Sequence, residues 1–217
     1  MKKLTKNMLL TTIVALLPMA LGIALYNKLP AQLPTHWNIS GEVNDYSSKA
    51  FVVFGLPAFM SVMGLFVQFM LEQDPKKANM SPVLKMISRW ICPVMSLILV
   101  PVTLFIGMGY DNIPIPLIVN LLVGIIFIVI GNYLPKSKQS YTMGIRLPWT
   151  LNSEENWNRT HRLAGKLWML GGFLFILCGF AAQYIQSQLM TTVTIGGIMV
   201  MVFIPMIYSF LLYKKGI

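Results

Sequence analysis

Two short runs of this sequence hold residues whose types and spacing could do chemistry. The first is His36, Trp37 and Asn38, followed by Glu42 and Asp45. One imidazole with two nearby carboxylates is a thin metal-ligand set. The same imidazole could serve as a pH-sensitive group or as a hydrogen-bonding loop residue. The second run carries Arg146, Trp149, Thr150, Trp157, His161 and Arg162. Its two arginines and histidine could grip a phosphate headgroup. Its tryptophans and arginines are also the residue types enriched where proteins meet proteins.

Other chemistries lack their motifs. The chain has no phosphate-cradling glycine loop, no zinc-protease helix and no serine-nucleophile turn. Its two cysteines, Cys92 and Cys178, lie inside apolar runs, where a thiol acts as a small hydrophobe. No disulfide framework or cysteine metal cluster follows from them. This reading assigns no catalytic residue, no metal and no cofactor.

The elements that must position these residues belong to a membrane. Of 217 residues, 56% are hydrophobic and only 11% are charged, and mean hydropathy is +0.67. A soluble domain is about 25% charged, and disorder needs low hydrophobicity. Six stretches are long and apolar enough to cross a bilayer: Met8–Tyr26, Ala50–Leu71, Trp90–Met108, Ile113–Leu134, Leu167–Tyr184 and Leu189–Tyr213. The expectation is an all-α, polytopic integral membrane bundle of six transmembrane helices. The net charge of +10 is then a matter of topology, with no direct nucleic-acid binding implied. Fifteen of the seventeen Lys and Arg fall on one side of these spans, leaving Lys28 and Lys49 on the other. Cationic loops stay inside, so both termini are expected in the cytoplasm, with anionic lipids as neighbours.

On that plan the two runs sit in the two long loops. The outer loop opens with Pro30 and Pro34, which stiffen it, and Gly41 with Asn44–Asp45 reads as turns. A compact outward-facing element is expected. In the inner loop, Asn152 with Glu155 has the form of a capping box. A helix starting there puts Trp157 and His161 one turn apart on a shared face. Gly55, Ala58 and Ser61, with Gly171–Gly172 and Gly196–Gly197, mark close helix packing.

Both loops carry a recognisable pattern. The outer run Leu-Pro-x3-Pro-x-His-Trp-Asn-x2-Gly-x3-Asp-x3-Lys, from Leu29 to Lys49, resembles a domain of unknown function that heads SdpI-type proteins. The inner run Gly-Ile-Arg-x-Pro-Trp-Thr-Leu-x-Ser-x3-Trp-x3-His-Arg resembles the signature of the SdpI family. The resemblance implies a bacterial membrane protein that protects the cell from a secreted toxic peptide. It also implies a receptor that holds a cytoplasmic repressor at the membrane, and it brings no enzyme activity with it.

Under that resemblance His36, Trp37, Asn38 and Asp45 become toxin-side candidates. Arg146, Trp149, Thr150, Trp157, His161 and Arg162 become candidates for the cytoplasmic partner. Residues 1–71 are expected to form a two-helix region with the outer loop, and residues 72–217 a four-helix SdpI-like region. The competing reading is a small transporter or a lipid- or phosphate-headgroup-handling protein, including a lipid-modifying enzyme.

Overall fold

The computed structural model describes residues 2–38, 41–110, 112–182, 184–185 and 187–217. Among them, six helices are long and apolar enough to cross a membrane, matching the six expected spans. The protein is a multi-pass membrane protein. The chain divides into two compact units: residues 1–72 with 86–114, and residues 73–85 with 115–217.

The first unit contains helix α1 (Lys2–Leu25), a hairpin of strands β1 (Gln32–Trp37) and β2 (Val43–Ser48), helix α2 (Leu56–Gln73), and most of helix α3 (Pro82–Gly107). A single π-helical stretch, Phe51–Gly55, leads into α2. The unit's core gathers Leu29, Leu33, Val52, Val53, Val100 and Leu104. Leu33 is wholly buried, and its methyl lies where any side chain on Gly107 would have to go. Inside the spans of this unit, two polar side chains find partners on a neighbouring helix, since lipid offers none. Gln68 Nε2 donates to Thr11 Oγ1 at 2.9 Å, joining α2 to α1. Ser96 Oγ donates to the Ala15 carbonyl at 2.7 Å, joining α3 to α1.

The hairpin is the part of the fold that the all-helical expectation did not contain. Its strands pair antiparallel, from Gln32 with Ser48 to Trp37 with Val43. Two irregularities set Thr35 and Asn44 outside the pairing. The outer loop is thus compact, as expected, and its compactness comes from backbone pairing rather than from turns alone.

The second unit holds helices α4 (Ile115–Tyr133), α5 (Pro148–Asn152), α6 (Glu154–Ala181) and α7 (Ser187–Lys214). Its spine is backbone against backbone. A Cβ added to Gly124 would fall 2.6 Å from the Gly172 carbonyl, and one added to Gly172 would fall 2.6 Å from the Gly124 carbonyl. Gly131 and Gly165 repeat the arrangement one heptad away, at 2.7 and 2.6 Å. Four glycines therefore let α4 and α6 approach as no larger residue would allow. The expected small-residue contact at Gly171–Gly172 is present; of the second pair, a Cβ on Gly197 would fall 3.3 Å from Leu174, whereas Gly196 has nothing within 4 Å.

Helix α6 begins one residue later than the Asn152 capping box implies. Ser153 is the cap, accepting from the Asn156 amide at 3.2 Å, and Glu154 and Glu155 occupy the first turn. Acidic residues there suit the helix dipole. Asn152 instead ends α5, which starts at Pro148, the position in a helix where proline fits best. Helix α7 closes in a Schellman turn: Ile217 N–H reaches the Leu212 carbonyl, Gly216 N–H reaches Tyr213, and Gly216 takes φ +81°.

Candidate functional site

Trp157 and His161 stack as their spacing predicts, with ring centroids 3.9 Å apart and planes 23° from parallel. Both are buried, and every polar atom of the pair has a partner within the second unit. Trp157 Nε1 donates to the Ser137 carbonyl at 2.8 Å. His161 Nε2 accepts from the Ile145 backbone N–H at 2.9 Å. That acceptor role leaves the proton on Nδ1, which donates to the Trp157 carbonyl at 2.7 Å. His161 is therefore neutral, in one defined tautomer.

Gly144 makes this possible. Its φ is +101°, and a Cβ there would fall 2.5 Å from His161 Nε2 and 2.7 Å from the Trp157 ring. Only glycine satisfies both the backbone angle and the space. The next residues fold onto Thr150. Its hydroxyl accepts from the Leu147 amide at 2.9 Å and donates to the Ile145 carbonyl at 2.8 Å. The Gly-Ile-Arg and Pro-Trp-Thr runs are thus pinned to α6 and to each other.

Trp149 anchors the other side. Its Nε1 donates to Ser209 Oγ at 2.5 Å, and its ring packs on Tyr213 and Phe210 of α7 at 5.8 and 5.5 Å. Ser209 donates onward to Asn156 Oδ1 at 2.9 Å. The wholly buried Asn156 gives its amide hydrogens to the carbonyls of Ser209 and Ile217. One asparagine therefore ties α6 to two points near the end of the chain.

A third anchor comes from the connection after α2. Asp74 is buried, and its Oδ2 accepts from the Tyr141 and Thr142 amides at 2.9 and 2.8 Å and from the Thr142 hydroxyl. Its Oδ1 accepts from the Lys76 amide at 2.7 Å. Burial alone would raise this carboxyl, but the Thr142, Lys76 and Ser140 hydrogen bonds outweigh it and hold the group below its ordinary value of 3.8. Asn79 and Ser81 add bonds to Gln139 and Ser137. Gln139 in turn donates to the Thr150 carbonyl at 2.9 Å.

The six inner-loop candidates thus divide by environment. Thr150, Trp157 and His161 are buried and satisfied inside the unit, and Trp149 is half-buried on α7. Arg146 and Arg162 are exposed. Arg146 holds the Tyr141 carbonyl at 2.7 Å, so its guanidinium is fixed at the surface of the loop. Asp74, Asn156, Ser209 and Gly144 are the architectural residues that the sequence reading did not single out.

The outer-loop candidates belong to the first unit. His36 is exposed and lies across from Asp45, with Nδ1 2.6 Å from Asn44 Oδ1. Asn38 and Glu42 clamp the turn: Asn38 Nδ2 donates to Glu42 Oε2 at 2.8 Å, and the Glu42 amide donates to Asn38 Oδ1 at 2.9 Å. Asp45 is exposed and accepts from the Tyr46 amide at 2.8 Å. Trp37 is half-buried. Among the described residues, no group of three or more His, Cys, Asp or Glu stands together as a metal site.

Residues 136–209, from the loop that Trp157 and Gly144 organise through most of α7, match the SdpI/YfhL protein family. This matched stretch is the SdpI/YfhL-like region of the chain. Residues 13–61, spanning most of α1, the hairpin and the start of α2, match a domain of unknown function, DUF1648. Over 211 residues, covering 97% of either chain, the protein is 28% identical to "Immunity protein SdpI" of Bacillus subtilis (strain 168). No solved structure matches it significantly. Every buried polar contact described above for the inner loop and its partners on α6 and α7 has at least one end within the SdpI/YfhL region. Asp74 acts on that region from outside it.

Proposed function

We propose that the protein is a membrane immunity protein that protects a bacterial cell from a secreted toxic peptide. The observation that carries this reading is the similarity to the Bacillus immunity protein along 97% of both chains. Both patterned loops lie within that span. The distribution of Lys and Arg supports an orientation with both termini in the cytoplasm. The hairpin then faces outward and the SdpI/YfhL loop faces inward. On this reading His36, Trp37, Asn38 and Asp45 form the toxin side. The hairpin's pairing and the Asn38–Glu42 clamp support a preformed surface there, which lowers the ordering cost of binding.

A second activity, holding a cytoplasmic repressor at the membrane, draws support from the inner loop. Arg146 and Arg162 are its exposed candidates, and the half-buried Trp149 belongs to the same unit. Thr150, Trp157 and His161 act from beneath, by fixing the surface that a partner would meet.

The test is a challenge assay in a sensitive bacterium expressing the chain, with a secreted peptide toxin of the SDP type. Survival is compared with His36→Ala, Trp37→Ala and Arg162→Ala variants at matched membrane levels. Protection by the parent that falls with the outer-loop variants supports toxin capture at the hairpin. Absence of protection by the parent chain would remove the basis of the immunity reading. Crosslinking from position 162 in cells tests the second activity: a captured DNA-binding protein supports it, and lipid alone counts against it.

A further inference from the structure

A pocket of about 490 Å³ lies in the second unit, at the end of α7. Pro148, Trp149, Tyr213 and Ile217 give it an apolar lining, and Asn152 and Ser153 give it a polar one. Its wall is built rather than accidental. The Trp149 ring is fixed by its bond to Ser209, Ser209 is fixed by Asn156, and Asn156 also holds the Ile217 carbonyl. The Schellman turn at Gly216 sets the remaining edge. The toxin-side reading uses none of this cavity, and the repressor reading touches it only through Trp149.

Its position and charge name an occupant. Both helices that frame it are candidate spans, Glu154–Ala181 and Gln188–Lys214, and the pocket lies at the start of one and the end of the other. It therefore lies where the α7 span, ending at Lys214, would meet the lipid headgroups. Two consecutive exposed cations, Lys214 and Lys215, stand in the chain between its lining residues Tyr213 and Gly216. The Lys214 ammonium lies 5.6 Å from the Phe210 ring, which itself packs on Trp149. An aromatic wall beside paired ammonium groups at this depth fits a molecule with an apolar chain and a phosphate. We infer that the pocket binds one anionic phospholipid, with the chain against Trp149 and Tyr213 and the phosphate held by Lys214 and Lys215.

The experiment uses the full chain, reconstituted with equimolar phosphatidylglycerol and phosphatidylethanolamine, extracted in mild detergent and weighed by native mass spectrometry. The expected result is one retained phosphatidylglycerol per chain. Lys214→Gln/Lys215→Gln should lower that retention roughly thirty-fold, on the scale of two cations near a membrane surface. Lys136→Gln/Lys138→Gln, which removes the same charge elsewhere in the unit, should leave it unchanged. Equal retention of both lipids, or equal loss in the two double variants, would overturn the assignment. A readout that needs no cation variant is fluorescence quenching by brominated phosphatidylglycerol. The parent should show a quenched component that Trp149→Phe removes, and a parent with no such component would also count against the site.

Discussion

The imidazole of His161 receives the backbone N–H of Ile145 at 2.9 Å, across sixteen residues of chain. That bond fixes the tautomer, and the stack on Trp157 fixes the ring. His161 thereby holds the Gly-Ile-Arg segment against α6 and has no free nitrogen for a partner. His161→Ala should leave a cavity and an unpaired buried amide, costing about 2–4 kcal/mol. Thermal unfolding in detergent micelles measures it. Unchanged stability with lost protection would mean that the imidazole meets a ligand after all.

Gly144→Ala tests the same junction from the other side. A left-handed backbone costs an L-residue roughly 1–2 kcal/mol, and the new methyl would also strike His161 and Trp157. The variant should lose folded membrane yield more severely than Gly196→Ala, where a helical glycine faces open space. That control should be neutral or gain up to about 1 kcal/mol. Equal yields for the two would show that the junction tolerates a side chain.

Asp74 predicts an acid-side dependence. Its carboxyl is held below the ordinary 3.8, so the folded state favours the charged form. The stabilisation is fully present above the unfolded-state value and is lost as pH falls through the lower folded-state value. Asp74→Asn should be less stable than the parent at neutral pH, by about 1–3 kcal/mol for a buried carboxylate with several donors. The gap should close at pH below the folded value. Melting curves of both proteins from neutral pH to strong acid check this, and a pH-independent gap would assign the effect to shape rather than charge.

The glycine contacts between α4 and α6 make a packing prediction. Gly172→Leu would push a side chain into the Gly124 carbonyl, already 2.6 Å from where its Cβ would sit. Overpacking of this kind costs about 1–3 kcal/mol or more. The expected outcome is a lower unfolding temperature and easier proteolysis of the 137–153 loop, whose anchors stand on α6. Unaltered melting would show that the helices can part without consequence.

The six spans were legible because a lipid environment writes itself into composition. The Trp157–His161 pair was legible because residues four apart on a helix must meet. The hairpin was not, since β1 carries a proline and its pairing slips at Thr35 and Asn44, which breaks the alternation that marks a strand. The helix start was misplaced by one residue because Asn152 and Ser153 are both good caps, and Pro148 had already begun another helix. Asp74 gave only the sign of a local turn, its bond to the Lys76 amide, while its inner-loop partners lie 67 and 68 residues away. Ser209 offered a faint one, a single serine late in an apolar span, but nothing near it named Asn156.

The paired glycines leave α4 and α6 with no neighbouring alignment. Sliding α6 along α4 by a single residue would bring Ala164 or Lys166 to the place of Gly165, driving a side chain toward the Gly131 carbonyl. The next setting that places glycine on glycine at both contacts is a heptad away, roughly 10 Å along the axis, with Gly179 brought to Gly124 and Gly172 brought to Gly131. The pair behaves as a strut locked at one notch. Movement within this unit is left to α7 and to the loop, whose attachments are side chains that can change rotamer.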